Sequence, residues 1–181
     1  MEPETLNLPV LALRGLTVFP HTNLTFDVER HISMKALEVA METGQEIFLV
    51  TQREINVEKP TEQDLYAIGT ISRVTQILRL GQNSLRVMVE GGRRARLKRL
   101  WQLEPYLQGQ VETAEEPESV NHGPKTEALL RQTWSLFQDY AQLAGNVAEE
   151  VIAAALDCQE PGDLADRIAQ NIALRYDDKQ A

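Results

Sequence analysis

A chain of 181 residues with 43% apolar residues can bury a real core, as one domain or two small ones, and lies outside the disordered range. Its formal charge of −9 repels nucleic acid and anionic membrane at long range unless the charge is segregated. One cysteine, Cys158, excludes an intrachain disulfide, the opening MEPETLNLPVL lacks the features of a signal peptide, and no run is apolar enough to span a bilayer, so a cytoplasmic location is expected.

From Leu8 to about Val111 the chain reads as short strands separated by turn signals. LPVLAL forms a first strand and LTFDV a second, with Leu24, Phe26 and Val28 on one face. ISMKALEVAMETG interrupts them: Leu37, Ala40, Met41 and Gly44 recur at helical spacing, and Gly44 is a natural stop. EIFLV suits a buried strand. In AIGTISRVTQIL the core candidates Ile71, Val74 and Ile77 lie three apart, which points to a bulge or a twist rather than a flat ladder. LGQNS predicts a hairpin turn before LRVMVE, where Leu85, Val87 and Val89 share a face.

The stretch LRVMVEGGRRARLKRLW carries six of the eighteen basic residues and one acid. It reads as a strand, a turn at Gly91 and Gly92, and a second strand with Ala95 and Leu97 inward and Arg94, Arg96 and Lys98 outward. Acids such as Glu29, Glu90 and Glu104 are expected to oppose this charge. A nucleic-acid grip through residues 93–99 asks for interleaved aromatics or a recognition helix, and only Trp101 and Tyr106 lie near. The expected role is a solvated face.

EEPESVNHGP marks a linker. The expected division is a β-rich domain over 1–118, a linker over 119–123, and a helical region over 124–181 that begins a longer one. A helix from about Lys125 to Ala144 carries the stripe Leu130, Trp134, Phe137 and Ala141. Asn146 and Glu149 are spaced as a capping box opening a helix with Val151, Ile152, Ala155 and Leu156. EPGDLADRIAQNIAL then places Leu164, Ile168 and Ile172 four apart. The fold class is α+β: a mainly β domain with one helix, followed by a small all-helical domain.

Chemistry is absent from the motifs. His21, His31 and His122 are scattered without metal-ligand spacing, so no metal site is expected. Cys158 reads as a small hydrophobe in mid-helix. GxSxG, GxGxxG and GxxxxGK[ST] are all missing, so no catalytic residue and no cofactor are expected in this chain.

Four segments carry a resemblance: LPVLALRGLTVFP at Leu8 to Pro20, GTISRVTQILRL, VEGGRRARL with Glu90, Gly91, Arg94 and Ala95, and EPGDLADRIAQNIAL followed by DDKQ. In this order they resemble the amino-terminal, substrate-recognition domain of the Lon ATP-dependent proteases over nearly the full chain. The resemblance implies a β pseudo-barrel followed by helices. It implies recognition and tethering of unfolded, damaged or degradation-tagged proteins, and support for a homo-oligomeric ring. ATP and Mg would bind in an ATPase module, and a serine–lysine pair would act in a proteolytic module, neither of them here. Leu13, Arg14, Phe19 and Pro20 fall on a family segment, with Phe19 beside Pro20 as an anchor for partners, and Met34 and Met41 offer a soft contact surface. Glu90, Gly91, Gly92, Arg94 and Ala95 are expected as a structural turn. The alternatives are a pure oligomerisation or spacer module and a stand-alone adaptor. The polar end RYDDKQA reads as a cut before a further helix, leaving a piece that is a monomer or dimer.

Overall fold

The computed structural model describes residues 3–81, 83–114 and 123–181. Strand β1 (Thr5–Leu13) is buried continuously from Leu8 to Leu13, and β3 (Glu46–Thr51) from Ile47 onward. Both are covered on two faces, which is why they read as unbroken apolar runs rather than alternations. They pair in parallel, Val10 opposite Phe48, and β1 pairs antiparallel with β6 (Leu107–Thr113) on its other side. Strand β2 (Asn23–Val28), β4 (Ile68–Arg79) and β5 (Leu85–Gln102) complete a mixed sheet in the order β2-β5-β4-β3-β1-β6. β5 also pairs with β6, from Ala95 opposite Thr113 to Gln102 opposite Gln108, so the bonding returns to the strand it left.

The glycine pair does not turn the chain. β5 is one strand of eighteen residues that continues through Gly91 and Gly92, with an extra residue at Gly92–Arg93 opposite Ile71. Neither glycine has a positive φ; what demands glycine is close approach. A Cβ on Gly91 would overlap the carbonyl oxygen of Phe19, and one on Gly92 would sit 2.9 Å from that of Ile71. The irregular rhythm of β4 has a bulge behind it at Thr75, the extra residue between Val74 and Gln76, while at the second register shift the extra residue is in β5, where Gly92 and Arg93 face Ile71. Ile71 and Val74 are buried and Ile77 is half-buried.

Helix α1 (His31–Glu42) buries Ser33, Ala36, Leu37 and Ala40. It covers a cluster that includes Leu11, Leu13, Ile47, Leu49, Val74 and Val87. Alternate residues of the same strands, among them Val10, Ala12, Phe48 and Val50, feed a second cluster with Ile71, Ala95 and Val111. The helix stops as expected: Gly44 takes φ +115°, Gln45 takes φ +70°, and the Gln45 N–H donates to Ala40 O at 2.7 Å.

The chain divides into two compact units, 1–115 with 175–181, and 116–174. The last seven residues, expected with the helices, thus belong to the first unit. Helix α5 (Tyr176–Gln180) is tied there by Tyr176 Oη donating to Arg53 O at 3.1 Å and Gln180 Nε2 to Ile68 O at 3.0 Å. The expected linker over 119–123 lies outside the described residues except Gly123, the N-cap of helix α2 (Pro124–Ala144).

In the second unit α2, α3 (Glu149–Leu156) and α4 (Pro161–Asn171) pack Leu130, Phe137, Ala155 and Leu164 together. The expected capping box is not formed. Ala148 is the N-cap of α3, so Glu149 is the first helical residue rather than the third and Asn146 stands too early to cap. Cys158 lies beyond the end of α3, not in mid-helix, and its thiol donates to Ala154 O at 3.3 Å. Ile172 is the C-cap of α4.

Candidate polypeptide-binding surface

Two of the segments that carry the resemblance, the expected anchor segment and the expected glycine turn, meet each other. The loop after β1 crosses β5 at Gly91: the His21 N–H donates to Gly91 O and the Gly91 N–H to Thr22 O, both at 2.8 Å. Thr22 Oγ1 donates to Phe19 O at 2.6 Å and Thr70 Oγ1 to Val18 O at 2.7 Å. Phe19 and Pro20 are buried beside this clamp and Leu13 in the core cluster under α1, so the expected anchor is a packing element rather than an exposed one. Met34 is half-buried against the α1 cluster, whereas Met41 and Arg14 are exposed. Of the residues expected as a turn, Ala95 and Gly91 are buried in β5 and Glu90 and Arg94 are exposed along it.

Arg14 holds a second loop, pairing with Glu58 at 3.0 Å and donating to Val57 O at 3.3 Å. Behind it Arg30 donates to Ala12 O and, at 2.9 Å, to Gln52 Oε1. Gln52 is wholly buried, and its Nε2 donates to Glu54 O and Val57 O, each at 2.8 Å. Burial pushes the Arg30 guanidinium down to about 10, with the neighbouring Arg14 charge adding to the effect. These bonds satisfy polar groups of a loop that has no secondary structure of its own to pair them.

That loop forms one wall of a cavity of about 670 Å³. The start of α1 supplies Ile32, the loop supplies Pro60, and the turn between β5 and β6 supplies Leu103 and Pro105. Leu103 is 45% exposed, large and apolar. Lys59 and Glu104 join the two walls at the rim at 3.1 Å. Sequence reading missed this site; its only local signal was two prolines following charged residues in turns.

Three basic residues of β5 pair with acids. Arg93 pairs with Glu4 at 2.9 Å, Lys98 with Glu112 at 3.0 Å and Arg86 with Asp27 at 2.8 Å. For these three the partners are other acids near in the fold, and strand register is what places Glu112 and Asp27 beside β5. The bond from Arg86 holds the Asp27 carboxyl below its ordinary range. His21 and His31 are exposed and far from any ligand set, and His122 lies outside the described residues. Among the described residues, no group of three or more His, Cys, Asp or Glu side chains is arranged to hold a metal ion, and no helix is long and apolar enough to cross a membrane.

A family model described as the ATP-dependent protease La (LON) substrate-binding domain matches residues 7–181. The chain belongs to this family. Lon protease of Desulforamulus reducens is 39% identical over 180 residues, covering 99% of this chain and 22% of that protein. Lon protease 1 of Bacillus subtilis is 36% identical, covering 96% of this chain and 22% of that protein. The chain thus spans about a fifth of the length of these Lon relatives. Among solved structures, the N-terminal domain of Mycobacterium avium complex Lon protease aligns with a TM-score of 0.75 at 20% identity, covering 97% of this chain and 88% of that one. The Lon N-terminal domain protein from Xanthomonas campestris aligns with a TM-score of 0.55 at 16% identity, covering 90% and 96%. The mixed sheet with its helices is therefore a Lon N-terminal domain fold.

Proposed function

We propose that this chain recognises unfolded or damaged polypeptides for a longer ATP-dependent serine protease of the cytoplasm. The observation that carries this reading is the apolar cavity between Pro60 and Pro105 in a member of a substrate-binding family. Unfolded chains differ from folded ones by displaying large apolar side chains, and this cavity has room for one. Its proline walls lose no side-chain entropy when a ligand docks. ATP and Mg would be bound by the ATPase module implied by the family, with no cofactor in this chain. The closed run of pairings β5-β4-β3-β1-β6-β5 supports a pseudo-barrel first domain, and α2 to α4 support a small helical second one. Leu129, Leu136 and Leu143 recur every seventh residue on α2 and are 54%, 62% and 90% exposed, which supports a share for the helices in ring assembly.

Fluorescence anisotropy with a labelled, permanently unfolded protein tests the recognition role, with the same protein in folded form and two salt concentrations as controls. Saturable binding to the unfolded form alone, persisting at higher salt, is expected. Leu103→Asp should weaken it about tenfold, the effect of losing one apolar anchor. Absence of binding at about 0.5 mM would sink the proposal.

A further inference from the structure

Among the described residues β2 pairs with β5 alone, so one edge of Asn23–Val28 has no strand beside it. The phase of that edge follows from bonds at the ladder ends. Gly91 N–H donates to Thr22 O, which turns the main-chain groups of Thr22, and by the period of two those of Leu24, Phe26 and Val28, toward β5. On the far flank of β5, the Leu80 N–H donates to Ser84 O at 3.0 Å, which sends Arg86 and Met88 to β4 and leaves Leu85, Val87 and Val89 for β2. Both ends agree. The N–H and C=O groups of Asn23, Thr25 and Asp27 point outward.

This edge has one charged residue, Asp27, and it is held by Arg86 of β5. Its register is unbroken from Asn23 to Val28, with no proline, lysine or bulge. The flank of β4 beyond Arg73, by contrast, carries a bulge at Val74/Gln76 and an exposed Arg79. Beside the second half of β2 opens a cavity of about 230 Å³, lined by Leu13, Leu16, Phe26 and Val28 with Arg14 and Arg30 at its polar side.

We infer that the free edge of β2 takes up an unfolded polypeptide as an added strand, bonded through Asn23, Thr25 and Asp27, with one apolar side chain dropped into the cavity beside Phe26. The inference rests on the reading of this chain as a binder of unfolded polypeptide and names how the ligand is held. Main-chain amides are the feature that all unfolded sequences share, so strand addition supplies affinity without a sequence requirement, and the cavity adds a preference for an apolar residue.

The test is amide hydrogen exchange of the whole chain, followed by NMR, with and without a short peptide of Val, Phe and Thr. Exchange at Thr25 and Asp27 should slow about tenfold or more at saturation, while Leu24 and Phe26, already bonded to β5, should not change. The same peptide with its central amides N-methylated should bind about tenfold more weakly. Thr25→Pro removes only an outward donor and should do likewise, whereas Thr25→Ala should bind as the parent does. Melting curves check that the proline variant is folded, and the methylated peptide needs no variant at all. If parent and methylated peptides bind equally, with Thr25 and Asp27 unprotected, strand addition is overturned; loss of that binding in Leu103→Asp would leave the recognition role standing. If the parent peptide does not bind at about 0.5 mM, both fall together.

Discussion

Adding one methyl group at Gly91 should test the clamp that joins the loop after β1 to β5. The new Cβ would overlap Phe19 O and lie 3.2 Å from Phe19 C and from Thr22 O. These are main-chain atoms, so no rotamer change can make room. The loop must lift, which breaks the two 2.8 Å bonds between Gly91 and the His21–Thr22 backbone and uncovers Phe19, now 9% exposed. Overpacking and the lost bonds together should cost about 3–5 kcal/mol. That is a large fraction of a typical domain's stability of about 5–15 kcal/mol. Equilibrium urea unfolding is the assay, and the midpoint should fall at unchanged slope. Gly81→Ala is the control: no atom lies within 4 Å of its added Cβ, and its stability should stay within about 0.5 kcal/mol of the parent. A Gly91→Ala protein as stable as the control would show that the loop does not press on β5 as described.

Gln52→Leu should destabilise the first unit by about 2–3 kcal/mol in the same assay, since it removes the partner of Arg30 Nη1 and of the Glu54 carbonyl at a wholly buried site and leaves Val57 O only its bond from Arg14. Its effect should be near zero if water already satisfies that loop. Asp64 accepts bonds from the Thr61 N–H and hydroxyl, and these hold its carboxyl below the ordinary range. A depressed carboxylate contributes stability that is complete above its unfolded pKa of about 4 and lost as pH falls through the lowered folded value. NMR titration should place Asp64 below a free aspartate, and Thr61→Ala should move it part of the way back; an ordinary midpoint in the parent protein would contradict the capping geometry.

Strand and helix positions were legible because they are written in local periods. Leu85, Val87 and Val89 alternate and are buried, and Leu130, Phe137 and Ala141 recur at helical spacing and are buried. The bulged rhythm of β4 and the stop at Gly44 were equally local. The four segments that resemble the Lon family were legible for a different reason, since they need only order along the chain. Gly91 and Gly92 misled because a glycine pair reports freedom at a turn and close approach in a strand with the same letters. What told them apart was Phe19, brought over β5 by the fold. Phe19 and Pro20 were misplaced for the matching reason: proximity to proline suggests a poised loop, but burial depends on what lies above it.

The sequence by itself determined where the chain is strand or helix, which side chains share a face, the lack of catalytic motifs, and membership of a substrate-binding family. Tertiary structure alone decided that β5 runs unbroken past three neighbouring strands and that β2 is left with an open edge. It also decided that Ile32, Pro60 and Leu103 enclose one cavity. Periodicity describes a residue relative to its own backbone, whereas an edge or a cavity is a relation between segments far apart in the chain, set by which strands find each other when the core closes.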